Sequence, residues 1–470
     1  MDHAVSDDLA GIIRDSLVHP KFGLPGRQSG TARALGTREY APPMRLRGAV
    51  VLIVVGVALT GCGTPSATPS PEPTAFMEQM RESGCSTAAD DVVAAVANLV
   101  AEYGPQQTSA PTPTPAATPG ADASDPLAEA VTRSTETRRR LGCDDADFRT
   151  RLSAGLADIE PDGPVAGAVL RRVSATLFGE QKTGSDDWAV TSADDLLDVI
   201  ARAAPDTTLV LPAGTWSLAE TLVLMDGITL RGASVDDTRI QSAAPEVAVL
   251  VATAGLVRMQ DLSLELVGTA PASGLVAGPS ASIALSAVRV SGATAGGEGV
   301  GGAGVYLSTD GVGDASRGTT LEVTDGVFAD NDWAGIAVAG THRVSIESSR
   351  FTGNGDVGML FLDGTAGSVN GSSFVDNGVG IAIAGTADPA LLDTAISGGG
   401  IGVQADQNAE PVLQGLRISG STTAAVIFGG ASGGSISTST CTDAAAGIVV
   451  SDGAAPTLGA GNECRVARGG

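Results

Sequence analysis

The chain has 470 residues, room for two or three domains, and carries 53 acidic against 28 basic residues, a formal charge of −25. Such an acidic balance argues against nucleic acid as a partner. Glycine is abundant, at 63 residues, but has no three-residue period, which excludes a collagen-like chain. Lysine occurs only at Lys21 and Lys182, so almost every cationic contact must come from arginine.

In chain order, residues 1–43 carry no membrane signal and read as a cytoplasmic extension or as sequence upstream of a true start at Met44. Met44-Arg45-Leu46-Arg47 then precedes a short apolar run, Gly48 to Leu59, and Leu59-Thr60-Gly61-Cys62 closes it. A basic start, a short apolar stretch and small residues at the cut describe an export signal over 44–61. The run falls short of the roughly 20 residues a bilayer-spanning helix needs. The Leu-Thr-Gly-Cys ending resembles the lipobox of bacterial lipoproteins. That resemblance implies acylation of Cys62, cleavage before it, and a protein held to the outer face of the bacterial cell membrane. Residues 62–74, rich in Pro, Ser and Thr, read as the tether.

Residues 75–185 read as a small helical region. Asp90 to Tyr103 places Val92, Val93, Val96, Leu99, Val100 and Tyr103 near a 3.6-residue period. A Pro/Thr/Ala linker spans 105–126, and helical character returns at 127–141, 145–157 and 164–178. Gly84-Cys85 and Gly142-Cys143 share a local pattern in which each helix ends at a glycine. In an exported protein, the four cysteines beyond Cys62 suit two disulfides, and the pattern pairs Cys85 with Cys143. Residues 186–207 hold a short amphipathic helix with Ser192 as its N-cap. It is placed to cover the open end of whatever follows.

From residue 208 the chain breaks into short β-type runs punctuated by turns, and after 320 it repeats. Phe328, Phe351 and Phe374 are followed at the same phase by Ile396, Ile418, Cys441 and Cys464, at intervals of 22 or 23 residues. Five residues before each of the first six stand Val323, Ile346, Val369, Leu391, Leu413 and Ile436. Small-apolar pairs follow, Gly335-Ile336 through Gly447-Ile448. A fixed period of this length means stacked structural units, and alternation such as Ile336, Val338 marks them as strands. The unit Val323-x4-Phe328-x2-Asn331-x3-Gly335-Ile336 and its recurrences resemble the right-handed parallel β-helix family, the pectin-lyase-like fold. The segment Val210 to Trp216 is similar to the first coil of that family. The resemblance covers about 208–464 and implies an all-β solenoid of about ten coils over 208–470. A leucine-rich repeat fits less well, because Gly326, Ser349 and Ser372 stand where it wants leucine.

Stacking at the strand spacing of about 4.8 Å puts Asn331, Asn354 and Asn377 in one column, read as a structural amide ladder at the coil corners. It also puts Cys441 beside Cys464, within disulfide reach. Relatives of this fold that cleave glycans use converging carboxylates, some holding Ca2+. The outward strand positions Ala337, Leu360, Ala382, Gln404, Ile427 and Val449 offer none, and read as a face packed by a loop or used for apolar contact. The period breaks at 292–319, where insertions commonly carry function. Asp310, Asp314, Arg317, Asp325, Asp330, Asp332 and Trp333 lie there or close by, with His342 on what reads as an exposed turn. They are the candidate glycan or Ca2+ site. From residue 205 on, 26 acidic and 10 basic residues leave −16 (10 − 26), which disfavours acidic polymers unless cations bridge. The reading is a surface lipoprotein whose β-helix binds an extracellular or envelope glycan, or a protein partner, without catalysis. A polysaccharide lyase or glycoside hydrolase is the alternative.

Overall fold

A computed structural model describes residues 73–103, 126–180, 187–225, 227–252, 255–278, 280–296, 301–307 and 318–468. The export signal, Cys62 and most of the tether lie outside the described residues. So do the linker at 105–125 and Asp310, Asp314 and Arg317. No described helix is long and apolar enough to cross a membrane.

Four helices build the first unit: α1 (Pro73–Glu102), α2 (Pro126–Leu141), α3 (Asp145–Ala157) and α4 (Pro164–Leu177). Their core is Val92, Val96, Val100, Phe148, Leu152 and Leu156. The Asp144 side chain caps α3 by accepting from the Ala146 and Asp147 N–H groups. Cys85 and Cys143 form a disulfide, with Cα atoms 5.8 Å apart. One expectation needs correction. Gly142, at φ 63°, does end α2, but α1 runs straight through Gly84. A glycine inside a helix costs only about 1 kcal/mol, and here its bare Cα makes room. A Cβ on Gly84 would lie 2.5 Å from the Leu141 Cδ1 atom.

Helix α5 (Ala193–Arg202), capped by the Ser192 hydroxyl, covers the mouth of the β region. Its Leu196, Val199 and Ile200 join one continuous core with Leu209, Leu211 and Leu230 of the first strands. Strand edges otherwise expose unpaired backbone groups. Helix α4 grips the same end from outside. Ala168 packs on Val223 and Met225, beside Leu250 and Ala252, and Arg171 pairs with Glu220 at 3.7 Å.

The β region is a three-sided solenoid in which all the strand pairs are parallel. One side is an eleven-stranded sheet running from Leu222–Leu224 to Val466–Arg468, one coil more than the ten expected. The other two sides merge into a single twenty-stranded sheet. The merger occurs because Leu256–Leu266 and Ser282–Ser291 are long enough to run along both. The register follows the repeat. Phe328, Phe351, Phe374, Ile396, Ile418 and Cys441 stand in line, as do Val323, Ile346, Val369, Leu391, Leu413, Ile436 and Leu458. The Phe351 and Phe374 rings stack 4.4 Å apart at 2°. Glycine recurs at one corner for a physical reason. A Cβ on Gly358 would lie 2.7 Å from the Phe374 ring and 2.6 Å from the Gly380 carbonyl oxygen.

Candidate functional site

Buried amides and hydroxyls hold the corners that frame the site. Asn331 donates from Nδ2 to Oδ1 of Asn354 at 2.9 Å, and Asn354 does the same to Asn377 at 2.8 Å. The Asn354 and Asn377 amides also donate to the Phe328 and Phe351 carbonyls, both at 3.1 Å. Every member is buried and bonded to the backbone or to its neighbour. A second ladder stands at the preceding corner and was missed in the sequence. Ser349 Oγ accepts the Gly326 N–H, and Ser372 Oγ accepts the Ser349 N–H, both at 3.1 Å. The sequence registered Ser349 and Ser372 only as positions that are not leucine. Their role needed the coil-to-coil register.

The break in the period is pinned to this frame. Asn331 Oδ1 accepts the Ala293 N–H and Asp332 Oδ2 accepts the Ala295 N–H, both at 3.1 Å. The Trp333 N–H donates to the Gly302 carbonyl at 2.9 Å. Gly302, at φ 86°, is confined to glycine twice over, because a Cβ there would also lie 3.0 Å from that of Trp333. Trp333 is half-buried against Tyr306, ring centroids 6.1 Å apart and tilted by 50°. On the next coil Asp356 stands beside Trp333 and donates its N–H to the Trp333 carbonyl at 3.0 Å. Asp332 and Asp356 are both exposed. Surrounding protein nevertheless crowds Asp356, and that desolvation raises its carboxyl above the usual range.

Among the described residues, the other sequence candidates are spread over several corners. Asp325 and Asp330 sit at two different corners of one coil, each exposed and in the left-handed region at φ 54°. Asp332 is held one step further on. Among the described residues, no group of three or more His, Cys, Asp and Glu side chains is placed to hold a metal ion. Asp310, Asp314 and Arg317, which the Ca2+ reading also includes, lie outside the described residues. His342 corrects the expectation of an exposed turn. It is 2% exposed; Nδ1 accepts the Thr319 N–H at 2.8 Å, and Nε2 lies 2.9 Å from the Ala339 carbonyl. Those contacts assign the proton to Nε2 and leave no free nitrogen for a substrate. Burial lowers its pKa, against a smaller opposing effect of the Ala339 bond.

The outer face of the eleven-stranded sheet is apolar, as the alternation implied. Tyr306, Ala337 and Leu360 cluster there with Ala303, Ala334 and Val357, separately from the main core. All six are buried, and Trp333 and Leu362 pack against them.

Residues 269–393 and 304–466 match, in two overlapping passes, the family model described as right handed beta helix region. This stretch is a right-handed parallel β-helix. No curated protein matches the chain. Three solved structures resemble the β-helix in shape. ORF18 of Geobacillus virus E2 has TM-score 0.44 at 12% identity over 68% of this chain and 64% of that one. The Dettilon tailspike protein has TM-score 0.37 at 16% identity over 61% and 66%. The catalytic domain of a GH87 alpha-1,3-glucanase in complex with nigerose has TM-score 0.37 at 11% identity over 60% and 70%. The chain thus spans under two thirds of the length of the first two. Likeness at this level carries nothing about activity.

Proposed function

We propose that this protein is an exported lipoprotein, anchored through Cys62 to the outer face of a bacterial membrane, whose β-helix holds a glycan without cleaving it. The observation that carries the glycan reading is Trp333, half-buried against Tyr306, with the exposed Asp332 next to it in the chain and the exposed Asp356 bonded to its backbone from the next coil. A sugar ring has an apolar C–H face suited to an aromatic side chain, and rim hydroxyls that donate to carboxylates. Gly302 and the Asp332–Ala295 bond hold this corner rigid before a ligand arrives, which lowers the ordering cost of binding. Two disulfides, a bond type that persists in oxidising compartments, support export.

A second reading, glycoside hydrolase, is favoured by one feature. Asp356 has a raised carboxyl pKa, the property a general acid needs, and Asp332 is near it in the fold. A glycan array and a degradation screen on the mature chain, with and without Ca2+, separate the two. Under the binding reading, one glycan class is retained intact, and Trp333→Ala weakens it by about tenfold or more. Release of shortened products, abolished by Asp356→Asn, would establish the hydrolase instead. Retention unchanged by Trp333→Ala removes this corner as the site.

A further inference from the structure

The described chain exposes seven large hydrophobic side chains, and three of them fall within five residues: Phe76 at 58%, Met77 at 67% and Met80 at 59%. They lie in the first turns of α1, the described element nearest Cys62 in sequence. The rest of α1 shows which way it faces. Ala89, Val92, Val96 and Val100 form the buried stripe. Stepping back from them by three or four residues reaches Cys85, then Glu82 and Arg81, then Glu78. These residues are the ones tied to the bundle or to one another. Cys85 is bonded to Cys143, Arg81 donates to the Gly142 carbonyl at 2.9 Å and pairs with Glu78, and Glu82 pairs with Arg151 at 3.3 Å. Phe76, Met77 and Met80 stand off that stripe. The bundle core therefore does not account for them.

We propose that the Phe76–Met77–Met80 face of α1 lies in the interfacial layer of the bilayer that holds Cys62. The inference rests on Cys62 being lipidated. The tether decides the occupant. Only ten residues, 63 to 72, separate Cys62 from α1, and at full extension they reach roughly 35 Å. The start of α1 is thus confined within that distance of the lipid surface. A diacylglyceryl group on Cys62 holds the chain to the membrane by itself, so the apolar face of α1 fixes the orientation of the helix start and does not secure the anchor. The polar residues on the opposite side of these turns, Glu78, Arg81 and Glu82, keep that side in water or against the bundle. The result is a helix start that lies along the membrane and gives the β-helix a defined orientation above it.

The test uses the mature chain from residue 62 with phosphatidylcholine vesicles. Lipidation is read independently, from the mass of the N-terminal peptide. In vesicles, the lipidated protein is expected to show slowed hydrogen exchange over residues 73–84. The triple variant Phe76→Ser, Met77→Ser, Met80→Ser should lose that protection while keeping its lipid. A second arm replaces Cys62 by Ser, so that it does not depend on the anchor. There the unlipidated wild-type face should co-float with vesicles about tenfold more than the triple variant. Equal co-flotation, or lipidated protein without protection at 73–84, overturns the proposal. So does loss of self-association in the triple variant, which would assign the face to a second copy. An intact Cys85–Cys143 bond and an unchanged circular dichroism spectrum show that the variant folds. Absence of lipid on Cys62 with preserved co-flotation would overturn the anchor alone and leave the face.

Discussion

Asn354 and His342 show how buried polar residues act in a stack of coils. Asn354 accepts from two donors on the coil before it and donates to a carbonyl of that coil and to Asn377 on the coil after it. Asn354→Ala strands those partners in the interior. It is expected to lower stability by about 3 kcal/mol, read by denaturant unfolding. His342 makes stability pH-dependent. Its folded pKa lies below the ordinary value of 6.5 because burial disfavours the charged ring. The unfolded chain therefore binds the proton first as pH falls. This contribution is full above pH 6.5 and is lost as pH drops toward the folded pKa. Unfolding curves across that range should show the loss in the wild type and not in His342→Gln. The residue identities were legible in the sequence, but the burial of His342 was not. Whether a turn residue faces water depends on which carbonyl and N–H groups the neighbouring coils bring to it, here those of Ala339 and Thr319.

At the scale of elements, the ends of the solenoid need most explanation. The first coil is covered by α5, whose apolar stripe and Ser192 cap were both readable because they are local patterns. The last coil has no covering helix among the described residues and is tied by Cys441–Cys464, with Cα atoms 4.9 Å apart. Asn462 adds a corner amide, accepting the Ser439 N–H at 3.1 Å. Cys464→Ser should free this end at a cost of up to about 3 kcal/mol, from the loop-closure entropy of the unfolded chain. The effect should be local, because each coil contacts only its neighbours. Hydrogen exchange should quicken over 457–468 and stay unchanged before 400. The contrast between Gly84 and Gly142 belongs here too. One local motif gave one helix end and one uninterrupted helix: Gly142 takes the left-handed conformation at φ 63°, while Gly84 stays helical with Leu141 close against it.

For the whole molecule, the helical unit is not a separate bead on a stalk. Ala168 packs against the outer wall of the first coils, and Arg171 pairs with Glu220 there. Ala168→Glu buries an unpaired charge in that contact and is expected to undock the helices, weakening the contact by about 2 kcal/mol or more. Hydrogen exchange over 164–177 should quicken, while the β-helix keeps its far-ultraviolet signature.

The sequence by itself determined the coil, its period, its inward ladders and the pairing of Cys441 with Cys464. All of these follow from side-chain phase within one repeat, and stacking multiplies a local pattern without altering it. Only the tertiary structure decided what happens where the period fails. The approach of Trp333 to Tyr306, the serine ladder behind Ser349, the buried ring of His342 and the docking of α4 join residues in different coils or different units. Those contacts depend on how far an insertion displaces the chain, and no local phase records that distance.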